Sequence, residues 1–95
     1  IKPQFEAGRE NVGKKGVVRD PKVHEAVIRS IRDFMPSMHY CMSMIDFSPI
    51  KGPEGNIEYI ARLEPESGER RAITDEQVET IVRDAHAGLD KTPIV

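Results

Sequence analysis

Lys2 and Glu58 are the residues of this chain whose types and spacing could do chemistry. Lys2 stands at the end of an opening apolar stretch that Pro3 cuts short, because proline cannot continue a central ladder. Glu58 stands at the start of a later strand-like run. If those two strands are antiparallel neighbours, the end of one lies beside the start of the other, and lysine and glutamate share one edge of a sheet. In open α/β sheets that edge binds ligands. A lysine there can act as a base or orient an attacking hydroxyl once a carboxylate holds it. The plain alternative is that each is a charged strand end, a common occurrence.

The segment between them is basic and glycine-rich. Arg9, Lys14, Lys15, Arg19 and Lys22 face only Glu10 and Asp20, whereas the stretch from Glu64 to Asp90 carries eight acids against Arg70, Arg71 and Arg83. Lysine and arginine beside Gly8, Gly13 and Gly16 can neutralise phosphate while the backbone comes close to it, so Arg9, Lys14, Lys15 and Arg19 are candidate phosphate-facing residues. Lys51 and Asn56 could add a phosphate or ribose contact, although Asn56 also fits a turn. A mobile solvated loop explains the same charges. No GxxxxGK[ST] string is present, which argues against a nucleotide P-loop. His24, His39, His86 and Cys41 lack metal-ligand spacing, so no metal is expected. His24 is expected to be solvated and His86 to sit near a helix end. Met35, Met38, Met42 and Met44 read as core fillers.

The elements that must position these residues follow from local pattern. Residues 1–5 read as a strand running out, and residues 6–19 as a long loop. Asp20-Pro21 is an N-cap followed by proline at the first helical position; Val23, Val27, Ile31 and Phe34 then recur at helical spacing until Pro36. Residues 39–47 alternate as a strand, Tyr40, Met42 and Met44 on one face and Cys41, Ser43, Ile45 and Phe47 on the other. Both faces are largely apolar, so both should be covered. A second strand over Ile57–Leu63 should pair with it antiparallel, since no helix fits between them. Thr74-Asp75-Glu76-Gln77 forms a capping box ahead of a helix carrying Val78, Ile81, Val82, Ala85 and Leu89 on one stripe. The expected order is strand, loop, helix, strand, strand, helix.

Composition sets outer bounds. At 95 residues, with 38% apolar and 32% charged residues and net charge −2, the chain suits one small globular unit. It has room for a two-layer core but not for a deep cofactor domain as well. One cysteine rules out an internal disulfide and fits a reducing compartment, making the cytoplasm the expected location. No run is apolar enough to span a bilayer.

The strings KPQFEAGRENVGKKGVVRDPKVH and SPIKGPEGNIEY, in this order, closely resemble the C-terminal part of the hemolysin A/TlyA family of ribosomal RNA methyltransferases. These belong to the FtsJ-like group of S-adenosylmethionine-dependent 2′-O-methyltransferases. The resemblance implies an α/β fold, the C-terminal part of a Rossmann-like methyltransferase sheet ending in an antiparallel hairpin. It also implies a Lys-Asp-Lys-Glu tetrad in which Lys2 is the second lysine and Glu58 the glutamate. The other half of that tetrad, the cofactor loop and an RNA-binding S4-like domain would precede Ile1. Residues 1–64 would be the C-terminal portion of the methyltransferase domain, and residues 65–95 a polar turn and amphipathic helix of open role. The chain is then expected to be a C-terminal piece, inactive alone, whose partners are ribosomal RNA, the missing half-domain and, through an exposed sheet edge, a second copy. Two other classes remain: a non-catalytic RNA-binding or assembly module, and a membrane-active hemolysin, which the family name invites but the helices do not suggest.

Overall fold

The computed structural model describes residues 1–13 and 16–89. Its elements are α1 (Pro3–Glu6), α2 (Pro21–Phe34), β1 (Tyr40–Phe47), β2 (Tyr59–Pro65) and α3 (Asp75–Leu89), with single 3-10 turns at Arg9–Asn11, Met35–Met38 and Pro53–Gly55.

Both long helices start where their caps dictate. The Asp20 carboxylate accepts from the Lys22 amide at 2.9 Å, and Pro21 occupies the first helical turn, where its missing N–H costs nothing. At α3, the Gln77 amide donates to Thr74 Oγ1 at 3.1 Å while the Thr74 amide donates to Gln77 Oε1 at 2.8 Å, a reciprocal capping box. α2 gives way at Met35 to a 3-10 turn containing Pro36, and His39 in the left-handed region (φ 62°) turns the chain into β1. Arg32 joins the two helices, donating to the Ile73 carbonyl at 3.3 Å and to Asp75 at 2.6 Å. Its hydrogen bond to Asp33, opposed by desolvation and reinforced by Asp75, raises its pKa, so this cation stays charged.

β1 and β2 pair antiparallel from Tyr40↔Pro65 to Phe47↔Tyr59, as the absence of an intervening helix required. A bulge interrupts the register between Met42 and Met44 and leaves Ser43 without a partner residue. This overturns the simple alternation expected for the strand. Met42 enters the core before the bulge and Ile45 and Phe47 after it, while Met44 is turned out. Ser43 Oγ is buried with no hydrogen-bond partner among the described residues. Of the four methionines expected as fillers, Met42 is fully buried, whereas Met38 and Met44 are exposed. β2 begins and ends two residues later than expected, although Ile57 is still buried just ahead of it.

The opening strand is reduced to one residue. The Ile1 amino group donates to the Tyr59 carbonyl at 2.7 Å and the Tyr59 amide returns a bond to Ile1 at 2.9 Å, the mutual exchange of an antiparallel pair. Lys2 remains extended, and Pro3–Glu6 turns into α1, where a strand was expected to fray. β2 therefore lies between Ile1 and β1.

α2 and α3 cover one face of this small sheet. Ile28, Met42, Ile57, Tyr59, Ile73, Val78, Val82 and Ala85 form the buried core, with Ile31, Ile45, Phe47 and Ala61 against it. The other face carries Met44 and Ile60, both exposed, and the buried Cys41, so the described residues cover one side of the sheet fully and the other only in part, where both were expected to be covered.

His24 is the plainest correction to the sequence reading. It was expected to be solvated, yet it is fully buried, with Nε2 2.7 Å from the Val18 carbonyl and Nδ1 2.8 Å from the Tyr59 hydroxyl. A carbonyl only accepts, so Nε2 donates to Val18, and Nδ1 shares the second hydrogen bond with the Tyr59 hydroxyl. The ring thereby ties α2 to the end of the glycine-rich loop and to β2. His86 lies against it, ring centroids 4.7 Å apart, and bonds through Nδ1 to the Val82 carbonyl at 2.8 Å.

Candidate active site at the carboxyl edge of the sheet

The pairing of Ile1 with Tyr59 places Lys2 opposite Glu58, and the side chains meet: Lys2 Nζ lies 3.9 Å from Glu58 Oε2. The lysine side chain is 50% exposed and the glutamate 21%, so the pair opens to one side and is anchored on the other.

Three features hold the carboxylate. The Ser48 amide donates to the Glu58 carbonyl at 2.8 Å and fixes the backbone. Gln4, two residues on from Lys2, donates Nε2 to the same Oε2 at 3.4 Å. Gly52 leaves the space the carboxylate occupies, since a Cβ there would collide with Oε2. Gln4 Oε1 is buried with no hydrogen-bond partner among the described residues. On its other side the Lys2 ammonium stands 5.6 Å from the centroid of the Phe5 ring. Such an ammonium can bond a hydroxyl oxygen of a substrate while the carboxylate fixes its position.

Behind this pair the loop is clamped by Asn56. Its Oδ1 accepts from the Val18 amide at 3.0 Å and its Nδ2 donates to the Gly16 carbonyl at 2.8 Å. Asn56 is only 2% exposed, so it is a loop clamp and not the phosphate or ribose contact considered from sequence.

The basic candidates divide into two places. Arg19 and Lys51 line one cavity of about 360 Å³ together with Val17, Val18 and His86. Arg9 is apart from them, in a cleft of about 570 Å³ formed with Gln4, Phe5, Gly8 and Val12. Lys14 and Lys15 lie outside the described residues. The loop glycines make no open cradle: the Gly13 amide bonds the Val17 carbonyl at 2.9 Å and the Gly16 amide the Gly13 carbonyl at 2.9 Å. Those two donors are engaged inside the loop and are not offered to a ligand. No group of three or more His, Cys, Asp or Glu is placed to hold a metal among the described residues. No helix among them is long and apolar enough to cross a membrane.

Gln4, Phe5 and Gly52 were given no role from sequence. They stand in the same two strings as Lys2 and Glu58, but nothing local shows that a glutamine at position 4 reaches a carboxylate at position 58.

Comparison with known proteins places the chain in a family. Residues 1–64 match the family described as FtsJ-like methyltransferase. A Bacillus subtilis (strain 168) protein named "Putative rRNA methyltransferase YqxC" is 45% identical over 91 residues, covering 94% of this chain and 32% of its own length. The Mycobacterium tuberculosis "16S/23S rRNA (cytidine-2'-O)-methyltransferase TlyA" is 32% identical over 93 residues, 98% of this chain and 33% of that one. "Hemolysin A" of Brachyspira hyodysenteriae is 41% identical over 63 residues, covering 66% of this chain and 26% of its own length. A solved structure, "Putative hemolysin from Streptococcus thermophilus", superposes with a TM-score of 0.84 at 36% identity, over 96% of this chain and 32% of its own. The chain thus spans about a third of the length of the first two curated relatives. With the matched span enclosing Lys2, Gly52 and Glu58, this chain belongs to the FtsJ-like methyltransferase family.

Proposed function

We propose that this chain is the C-terminal part of a ribosomal RNA ribose 2′-O-methyltransferase, supplying Lys2 and Glu58 to its catalytic set. The observation that carries the reading is the approach of Lys2 to Glu58 at 3.9 Å on the sheet edge, with Gln4 and Gly52 shaping the carboxylate's seat. Lys2 holds the oxygen of the substrate ribose 2′-hydroxyl at the reacting position. Glu58 is a positioning residue that fixes the ammonium. S-adenosylmethionine, the general methyl donor of the family, is bound by residues outside this chain, as are the first lysine and the aspartate of the tetrad. Residues 1–64 are then the end of the methyltransferase domain, and α3 in the remaining stretch completes the core beneath the site. Arg9, Lys14, Lys15, Arg19 and Lys51 form the RNA-facing surface, and the protein works in the cytoplasm on ribosomal RNA. Taken alone, the chain neither binds the cofactor nor methylates RNA, and an exposed sheet edge drives its association.

The test is ribose methylation of ribosomal RNA by the intact protein, read as a block to alkaline cleavage at the modified position. A cofactor-dependent block is expected, and no ribose methylation on any ribosomal RNA contradicts the reading. For the isolated chain, calorimetry is expected to show no micromolar binding of S-adenosylmethionine.

A further inference from the structure

One oxygen of Glu58 serves two partners. Oε2 lies 3.9 Å from Lys2 Nζ and accepts from Gln4 Nε2 at 3.4 Å, so the same atom faces the ammonium and an amide donor. Both partners come from one short segment. Lys2 is extended (φ −115°, ψ 98°), Pro3 is fully buried at the first turn of α1, and Gln4 follows it. The proline ring fixes the backbone between them, so Lys2 and Gln4 approach the carboxylate as a unit. A carboxylate only accepts, so the amide must turn its NH2 end toward Glu58. The other end, Gln4 Oε1, is then buried with no hydrogen-bond partner among the described residues. A buried acceptor left unmet lowers stability, and an apolar side chain of the same length would fill the space without that loss. Packing alone therefore does not explain a glutamine here. What the amide adds, and an apolar chain cannot, is a donor on Oε2.

We propose that Gln4 is a further positioning residue for methyl transfer, holding the Glu58 carboxylate at the angle from which Oε2 fixes the Lys2 ammonium. The last torsion of a glutamate side chain is broad, so the carboxylate turns easily about its own bond. An ammonium 3.9 Å away on a half-exposed side chain does not stop that rotation. A directed amide donor does. Without it, Oε2 wanders and Lys2 Nζ spreads over positions that are mostly unproductive, a loss that falls on the reacting geometry and not on the affinity for RNA or cofactor. Gln4 touches neither substrate nor reacting atoms in this scheme; it acts through Glu58.

This inference rests on the proposed methyl transfer, and its test separates the two. In the intact protein, Gln4→Met keeps the length and removes the donor, whereas Gln4→Glu keeps the shape and sets a second carboxylate against the first. Each should slow single-turnover methylation of ribosomal RNA about 10- to 100-fold, the worth of a hydrogen bond to a charged group, with unchanged dissociation constants for RNA and S-adenosylmethionine. The melting temperature of Gln4→Met should stay at or above that of the wild type, since the unmet acceptor leaves with the amide. In a Glu58→Gln background, Gln4→Met should add little further slowing, because the two act as a unit. A wild-type single-turnover rate in Gln4→Met overturns the proposal. So does slowing that comes with a lower melting temperature, or that multiplies in full with the Glu58→Gln loss, since either makes Gln4 a packing residue. If the wild-type protein methylates no ribose, the enzyme reading falls and the positioning role with it; if it methylates and Gln4→Met keeps pace, the positioning role falls alone.

Discussion

Two polar clusters flank the hairpin, and they are built to opposite standards. The first is His24 with Tyr59 and Asn56, buried and bonded at 2.7–3.0 Å to the loop carbonyls and amide around Gly16 and Val18. The second is Lys2 with Glu58 and Gln4, half open, with contacts of 3.9 Å and 3.4 Å and a buried oxygen on Gln4 that lacks a partner among the described residues. The first cluster is sealed inside the fold, even though Nε2 of the adjoining His86 is buried without a partner among the described residues, whereas the second opens at a sheet edge where a substrate can reach the ammonium. The difference fits a stabilising role for the first and the chemistry proposed above for the second.

Substitution should separate them on a stability scale. His24→Ala removes a buried ring together with its bonds to the Tyr59 hydroxyl and the Val18 carbonyl, with an expected loss of about 2–4 kcal/mol in denaturant unfolding. Asn56→Ala releases the loop from the hairpin connection and should cost about 1–3 kcal/mol. Glu58→Gln breaks only a partly exposed ion pair and should stay within about 1 kcal/mol of wild type. A Glu58 variant as destabilised as the His24 variant would erase the distinction.

The RNA-facing residues sharpen the same contrast. Replacing Arg19 and Lys51 together by glutamine in the intact protein should weaken RNA binding and flatten its salt dependence by about 2 units of slope if each contacts one phosphate. Lys14 and Lys15, replaced together, should act likewise by about 1 to 2 units. Unchanged slopes would make these ordinary solvated cations.

What could be read in the sequence was whatever local chemistry decides. Asp20-Pro21 and the Thr74–Gln77 box mark the two helix starts because capping involves residues two or three apart. Lys2 and Glu58 could be brought together in thought because Pro3 and the onset of β2 mark two strand ends that an antiparallel pairing aligns. The bulge at Ser43 was not legible, since it is set by the partner strand and shifts which side chains reach the core. His24 was misjudged for a related reason. The first turn of a helix is usually wet, and the groups that bury this one, Val18 and Tyr59, lie 6 and 35 residues away.

The central claim, that Glu58 serves the reaction through Lys2 and not the fold, is tested most directly by single-turnover methylation with Glu58→Gln in the intact enzyme. The substitution keeps the shape beside Gly52 and Gln4 but removes the charge facing Lys2. Methyl transfer should slow by about 100- to 10,000-fold, with RNA and cofactor affinities and stability near wild type. Lys2→Ala should do similar damage and the double variant little more, because groups acting as a unit are not additive. A Glu58→Gln enzyme that turns over at the wild-type single-turnover rate would contradict the account.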